Sequence, residues 1–171
     1  MDDLAALRQR YRDEKAALFA ELGKSGASTR GVRQALARLA RLTDQTLRTL
    51  WQRAGFGPRY ALLAVGGFGR GELFPHSDVD VLVLLPDGCV PDADAELKAR
   101  IEGFIGACWD LGLEIGSSVR TADDCVAEAG KDVTVQTSLL ECRLITGHRA
   151  GFNTLVRRLG EARDPKAFFV A

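Results

Sequence analysis

The sequence predicts a mixed α/β domain, a sheet flanked by helices and preceded by two helices of its own. Two short apolar runs, "YALLAVGG" over residues 60–67 and "DVDVLVLLP" over 78–86, are bounded by proline and glycine as buried strands are. Longer stretches carry apolar residues at steps of three and four, the period of an amphipathic helix. With 171 residues, 46% apolar and 27% charged, the chain is long enough for one domain with a real core, and its composition argues against disorder.

Leu4, Leu7, Tyr11, Leu18 and Leu22 fall on one stripe of a first helix, which "GKSGAST" closes with glycines and cap-forming hydroxyls. A second helix begins at Ser28 or Thr29 and runs through Val32, Leu36, Leu39, Thr43, Leu47 and Leu50, with arginines on its other face, until "AGFGP" stops it. Neither helix carries a cluster of chemically useful groups, so both are packing elements. Residues 60–67 and 78–86 are the first two strands. Leu97, Ile101, Phe104, Ile105, Cys108 and Leu111 place a helix over 94–111, and "LGLEIGSSVRT" a weaker third strand around 113–120. "TADDCVAEAG" is a short capped helix. Asp132 caps a longer one through "VTVQTSLLECRLITG", with Gly147 as its C-terminal stop. The divisions that follow are a helical segment over 1–56, a core over 57–150, and the start of a further helical region over 151–171. The chain stops in the apolar "DPKAFFVA" with no terminating signal, which reads as a chain cut short of its natural end.

Composition narrows the function classes. The 23 basic and 23 acidic residues cancel, so no overall field draws the chain to nucleic acid or an anionic membrane, and a nucleic-acid partner is not expected. No apolar run approaches the roughly 18 residues of a membrane span, and the acidic start "MDDLAALRQR" is unlike a signal peptide. A cytoplasmic protein without membrane contact is expected. Cys89, Cys108, Cys125 and Cys142 are dispersed with no CxxC pair and read as reduced thiols.

The chemistry concentrates in "GGFGRGELFPHSDVDVLVLL", residues 66–85. Gly67, Gly69 and Gly71 are spaced GxGxG, and Pro75 prevents a helix from starting at once, so this is not a dinucleotide fingerprint. The lysine of a Walker loop is missing as well. What remains is a strand ending in Gly66-Gly67, a turn carrying Arg70, and a second strand that opens with two acids. Along a strand, Asp78 and Asp80 share one side, about 6.6 to 6.8 Å apart, while Val79 and Val81 take the other. Hard oxygen ligands so placed suit Mg²⁺ together with substrate phosphate oxygens. Two such ions, about 3.5 to 4 Å apart, activate an attacking oxygen and stabilise a leaving one. Gly66-Gly67 lets the main chain approach a triphosphate closely and offer it N–H groups.

These residues resemble the signature of the DNA polymerase β-type nucleotidyltransferase superfamily, in which Gly-Gly or Gly-Ser precedes Asp-x-Asp by a short interval. The longer string, Gly-Gly-aromatic-Gly-Arg-Gly-Glu-Leu and then Ser-Asp-hydrophobic-Asp, is very similar to the N-terminal domain of the bacterial PII uridylyltransferase/uridylyl-removing enzymes. The likeness extends through "GLEIGSSVRT" and "VTVQTSLLECRLITG", about residues 60 to 150. It implies the polymerase β-type fold and uridylylation: UTP gives its UMP group to a tyrosine hydroxyl of the small PII signal protein, and pyrophosphate leaves. By the same resemblance Asp78 and Asp80 hold Mg²⁺, with Mn²⁺ as an alternative, Gly66 and Gly67 cradle the β- and γ-phosphates, and Arg70 contacts the triphosphate.

Ser77 is a further candidate for the nucleotide and Glu72 for nucleotide or metal, although the first also reads as a turn hydroxyl and the second as a salt-bridge partner. A third carboxylate usually completes the superfamily's site. Glu114 is the candidate, as the acid inside the third predicted strand between Leu113 and Ile115; Asp110, at a helix end, is its rival, and an aspartate is commoner at this position. Neither His76, followed by Ser77, nor His148, followed by Arg149, supplies the His-Asp doublet of the family's hydrolase domain, so UMP removal is not expected, nor is the glutamine sensing of the family's ACT domains. Two other readings stay open: transfer to a small molecule or an RNA end, and a non-catalytic nucleotide-sensing module, against which the intact Asp78 and Asp80 argue.

Overall fold

The computed structural model describes residues 3–24 and 28–163. Two helices open the chain, α1 (Asp3–Lys24) and α2 (Thr29–Ala54). Ser28 caps α2 by accepting from the Gly31 N–H at 3.1 Å, and Gly55 ends it in the left-handed region at φ 69°. The predicted stripe of α2 is its buried face: Leu36, Leu39, Thr43, Leu47 and Leu50 are all inside. Residues 25–27, within the "GKSGAST" read as the stop of the first helix, lie outside the described residues, as do 164–171.

Four strands form one mixed sheet in the order β3-β2-β1-β4: β1 (Ala61–Ala64), β2 (Val79–Leu85), β3 (Ile115–Thr121) and β4 (Arg143–Gly147). β1 lies antiparallel to both β2 and β4. β2 and β3 are parallel and so need a crossover, which α4 (Ala95–Leu111) supplies. Asp94 caps α4, its carboxylate accepting from the Leu97 N–H at 3.0 Å. Strand alternation then divides the core in two. Leu62, Ala64, Val79, Val81 and Val83 pack with residues of α1, α2 and α4. Ala61, Leu63, Leu82 and Leu84 pack with α5 (Ala122–Lys131), α6 (Val133–Leu140) and α7 (Arg149–Ala162).

The structure corrects the predicted long helix after Asp132. Asp132 does cap α6, accepting from the Thr134 N–H at 2.7 Å, but the helix ends at Leu140 and residues 143–147 form β4. Gly147 is not a helix stop: it has φ +98° in a strand pressed so close to β1 that a Cβ there would sit 2.3 Å from the Tyr60 carbonyl oxygen. An open edge on β1 outweighs the local helical pattern, because pairing with it satisfies backbone groups that would otherwise be buried unpaired. The first strand is also shorter than its apolar run. It stops at Ala64, and Gly66–Gly69 form a single helical turn, α3. Cys89, Cys108, Cys125 and Cys142 are free thiols, and burial pushes Cys108 and Cys125 up to about 12.

Candidate active site

The start of β2 is fastened on both sides. The Val65 N–H donates to the Asp80 carbonyl at 3.1 Å, and the Val79 N–H donates to the Glu114 carbonyl at 2.7 Å. The first bond brings the end of β1, and with it the glycine turn, against Asp80. The second sets Glu114 beside the Asp78-Val79 peptide, one residue ahead of β3 and not inside it. Val79 and Val81 are buried in the first core, whereas Asp80, on the opposite face, is exposed where the α5–α7 layer leaves the sheet uncovered. Asp78, Ser77 and Glu114 are exposed too.

Glycines shape the space around Asp80. Its register partner on β3 is Gly116, where a Cβ would stand 2.4 Å from Asp80 Oδ1. Across the site, a Cβ on Gly66 would lie 3.8 Å from Asp80 Oδ2 and 3.4 Å from Ser138 Oγ of α6, and Gly66 has φ +58°. The carboxylate thus rests between two stretches of bare main chain. Burial raises the Asp80 pKa, and the charge of Asp78 raises it further. Among the described residues no three or more His, Cys, Asp and Glu side chains gather as metal ligands. Asp78 and Asp80 stand as a pair, with Glu114 adjacent by its backbone. Asp78 lies one residue ahead of β2, where the sequence pattern places it inside the strand, and its carboxylate with that of Asp80 makes a hard, like-charged donor set that fits Mg²⁺ or Mn²⁺.

The turn is held by residues distant in sequence. A Cβ on Gly69 would fall 2.0 Å from the Glu141 carbonyl oxygen, so only glycine lets α3 seat on the end of α6. Arg143 of β4 grips Asp44 of α2 through two bonds of 2.5 and 3.0 Å, and its second terminal nitrogen also donates to the Phe68 carbonyl at 3.1 Å. Its guanidinium lies 5.1 Å from the Phe68 ring centroid. Arg70 is engaged as well: it pairs with Glu141 at 2.5 Å and with Glu72 at 3.6 Å, and a Cβ on Gly67 would be 3.4 Å from one of its nitrogens. Ser77 Oγ donates to the Phe74 carbonyl at 3.3 Å, which is its turn role.

Sequence reasoning missed Gly69, Gly116, Ser138 and the Asp44–Arg143 pair. An isolated glycine inside a strand pattern marks close backbone approach, and "GLEIGSSV" carried that signal for Gly116. Nothing local marks the other contacts, which join residues far apart along the chain.

The mixed sheet, the glycine turn and the paired acids define the class, and the chain belongs to the nucleotidyltransferase domain family, whose model matches residues 44–132. The resemblance read from the glycine string and Asp-x-Asp is borne out, and the fold class with it. More particularly, the chain is similar to the bifunctional uridylyltransferase/uridylyl-removing enzymes of Burkholderia mallei (strain SAVP1) and Burkholderia pseudomallei (strain K96243), each 56% identical over 158 residues, 92% of this chain. The chain spans 18% of the length of these relatives. Among solved structures, a crystal structure of a mutant of the toxin–antitoxin pair MntA–HpeT matches at 12% identity with a TM-score of 0.43, covering 73% of this chain and 90% of that one. No helix among the described residues is long and apolar enough to cross a membrane.

Proposed function

We propose that this domain transfers UMP from UTP to a tyrosine hydroxyl of the PII signal protein and releases pyrophosphate. One observation carries the reading: Asp80 lies against Gly116 on one side and faces Gly66 on the other, with the charge of Asp78 acting on it, so a like-charged pair stands at the edge of a glycine turn. The uridylyl specificity rests on the name of the relatives and on the resemblance read from the string around that pair.

In the transfer, the tyrosine oxygen attacks the α-phosphorus of UTP. A phosphorus–oxygen bond forms to the tyrosine, the bond between the α-phosphorus and the β-bridging oxygen breaks, and the hydroxyl proton passes to solvent. Asp78 and Asp80 would hold Mg²⁺ or Mn²⁺, with Glu114 as the third ligand. The bound ions would supply charge for the attacking and leaving oxygens. Gly66 and Gly67 leave the main chain bare beside Asp80 and Arg70, where the β- and γ-phosphates would lie. Arg70 would exchange Glu141 for phosphate, a bidentate acceptor of higher charge. The Asp44–Arg143–Phe68 contacts keep this turn in register with β2. Incubating the chain with PII, Mg²⁺ and labelled UTP tests the proposal: label on PII tyrosine supports it, and none after prolonged incubation, with the chain folded and binding UTP, contradicts it.

A further inference from the structure

Beside Asp80 the exposed face of the sheet opens into a cleft of about 350 Å³. Asp80, Gly116, Ser118 and Arg120 line it from β2 and β3, and Thr134 and Ser138 from α6. It begins where the glycine turn ends, since Ser138 Oγ and Asp80 Oδ2 both stand within 3.8 Å of the Cβ position of Gly66. Its walls combine hydroxyls with aliphatic surface from Val65 and Val135, and Arg120 is the cation among them. Arg120 is half-buried and, among the described residues, forms no ion pair or side-chain hydrogen bond, while Arg70, Arg143 and Arg158 are all paired. Its charge reaches Asp124, whose carboxylate is already bonded to the Thr121 N–H at 3.0 Å.

We propose that this cleft receives the ribose and base of the nucleotide, and that Arg120 reads the base through its carbonyl oxygen at position 4. The inference rests on the nucleotidyl-transfer reading above. With the α-phosphate at the acid pair and the β- and γ-phosphates on the glycine turn, the nucleoside would extend along the sheet away from the turn, towards the part of the cleft lined by Ser118 and Arg120 of β3. One guanidinium among hydroxyls and aliphatic groups matches a planar polar base better than a polyanion carrying several charges. A guanidinium donates and never accepts. Uracil offers it a carbonyl at position 4, where cytosine carries an amino donor, and adenine has no carbonyl at all. At that one position a donor-only side chain meets an acceptor in uracil, and in the equivalent carbonyl of guanine, but an amino donor in cytosine and adenine, so it favours uracil over the last two.

The test is calorimetric binding of UTP, CTP and ATP to the full chain and to Arg120→Gln, with inorganic tripolyphosphate as a competitor that has no base. The substitution is expected to weaken UTP by about tenfold or more, to bring UTP and CTP close together, and to leave tripolyphosphate competition unchanged. Equal weakening of all three nucleotides and of tripolyphosphate would mean that Arg120 touches phosphate, and would overturn the inference, as would an unchanged preference for UTP. Should the glutamine variant not fold, Arg120→Lys, which keeps the charge but loses the planar fork, answers the same question by the same two readouts. Transfer to PII by the unsubstituted chain tests the parent reading separately, so an unchanged base preference in the variant and lack of transfer in the wild type are distinct failures.

Discussion

Asp80 and Gly116 sit in register on adjacent parallel strands, and the Asp80 carboxylate occupies the space that any side chain at position 116 would need. A Cβ there would lie 2.4 Å from Oδ1, well inside contact distance. Gly116→Ala should therefore turn Asp80 away from its partner acid and lower kcat/KM for transfer by about tenfold or more, the cost of misplacing a reacting centre. Folding should suffer little, because β3 is an edge strand and the displaced group is exposed. Activity within twofold of wild type would show that the position of Asp80 does not matter.

Gly69→Ala should behave in the opposite way. Its Cβ would meet main chain, at 2.0 Å from the Glu141 carbonyl oxygen and 3.1 Å from that of Ala64, and neither can rotate aside. A loss of about 1–3 kcal/mol or more in denaturant unfolding is expected, from overpacking at a rigid contact. An unchanged unfolding midpoint would contradict the seating of α3 on α6.

Arg143 and Asp44 form a bidentate pair in which Asp44 is only 6% exposed. Replacing Arg143 by methionine leaves the buried Asp44 carboxylate only the looser Arg48 contact at 3.8 Å and should cost about 1–3 kcal/mol. Adding Asp44→Leu to Arg143→Met should recover part of that loss, although the Phe68 carbonyl remains without its donor. Additive losses in the double variant, read by denaturant unfolding, would mean that the two side chains are not coupled.

Why some of this was legible in the sequence and some was not follows from range. Ser28, Asp94 and the Thr121–Asp124 capping box act within three residues, so helix starts could be read locally. Asp78 and Asp80 needed only the strand period. β4 was hidden because Asp132 begins a genuine helix, and only pairing with β1 converts "RLITG" into a strand. The isolated Gly116 marked a close approach in β3 without naming its partner, whereas Ser138 and Arg143 come from α6 and β4, and no spacing along the chain encodes those encounters.

The raised pKa of Asp80 has a signed consequence for stability. Burial first, and then the charge of Asp78, holds its carboxyl above the ordinary value, so the folded chain binds this proton more tightly than the unfolded chain. Stability from this group therefore falls as pH rises from the ordinary value through the folded one, and the cost persists above that window. Asp80→Asn removes the cost and should raise Tm at pH 7, by no more than about 4 °C, since an exposed carboxylate is well screened. A lower Tm would contradict the electrostatic reading of the pair.

The most direct test of the account is transfer activity in Asp78→Asn and Asp80→Asn, measured with PII, Mg²⁺ and labelled UTP alongside circular dichroism and Tm. Both residues are exposed and neither belongs to a core cluster, so each variant should fold. Each should lose at least about a hundredfold in kcat/KM, because the cations these charges would hold contribute several kcal/mol to the transition state. A folded variant that keeps most of the wild-type rate would show that the acid pair is not the catalytic centre.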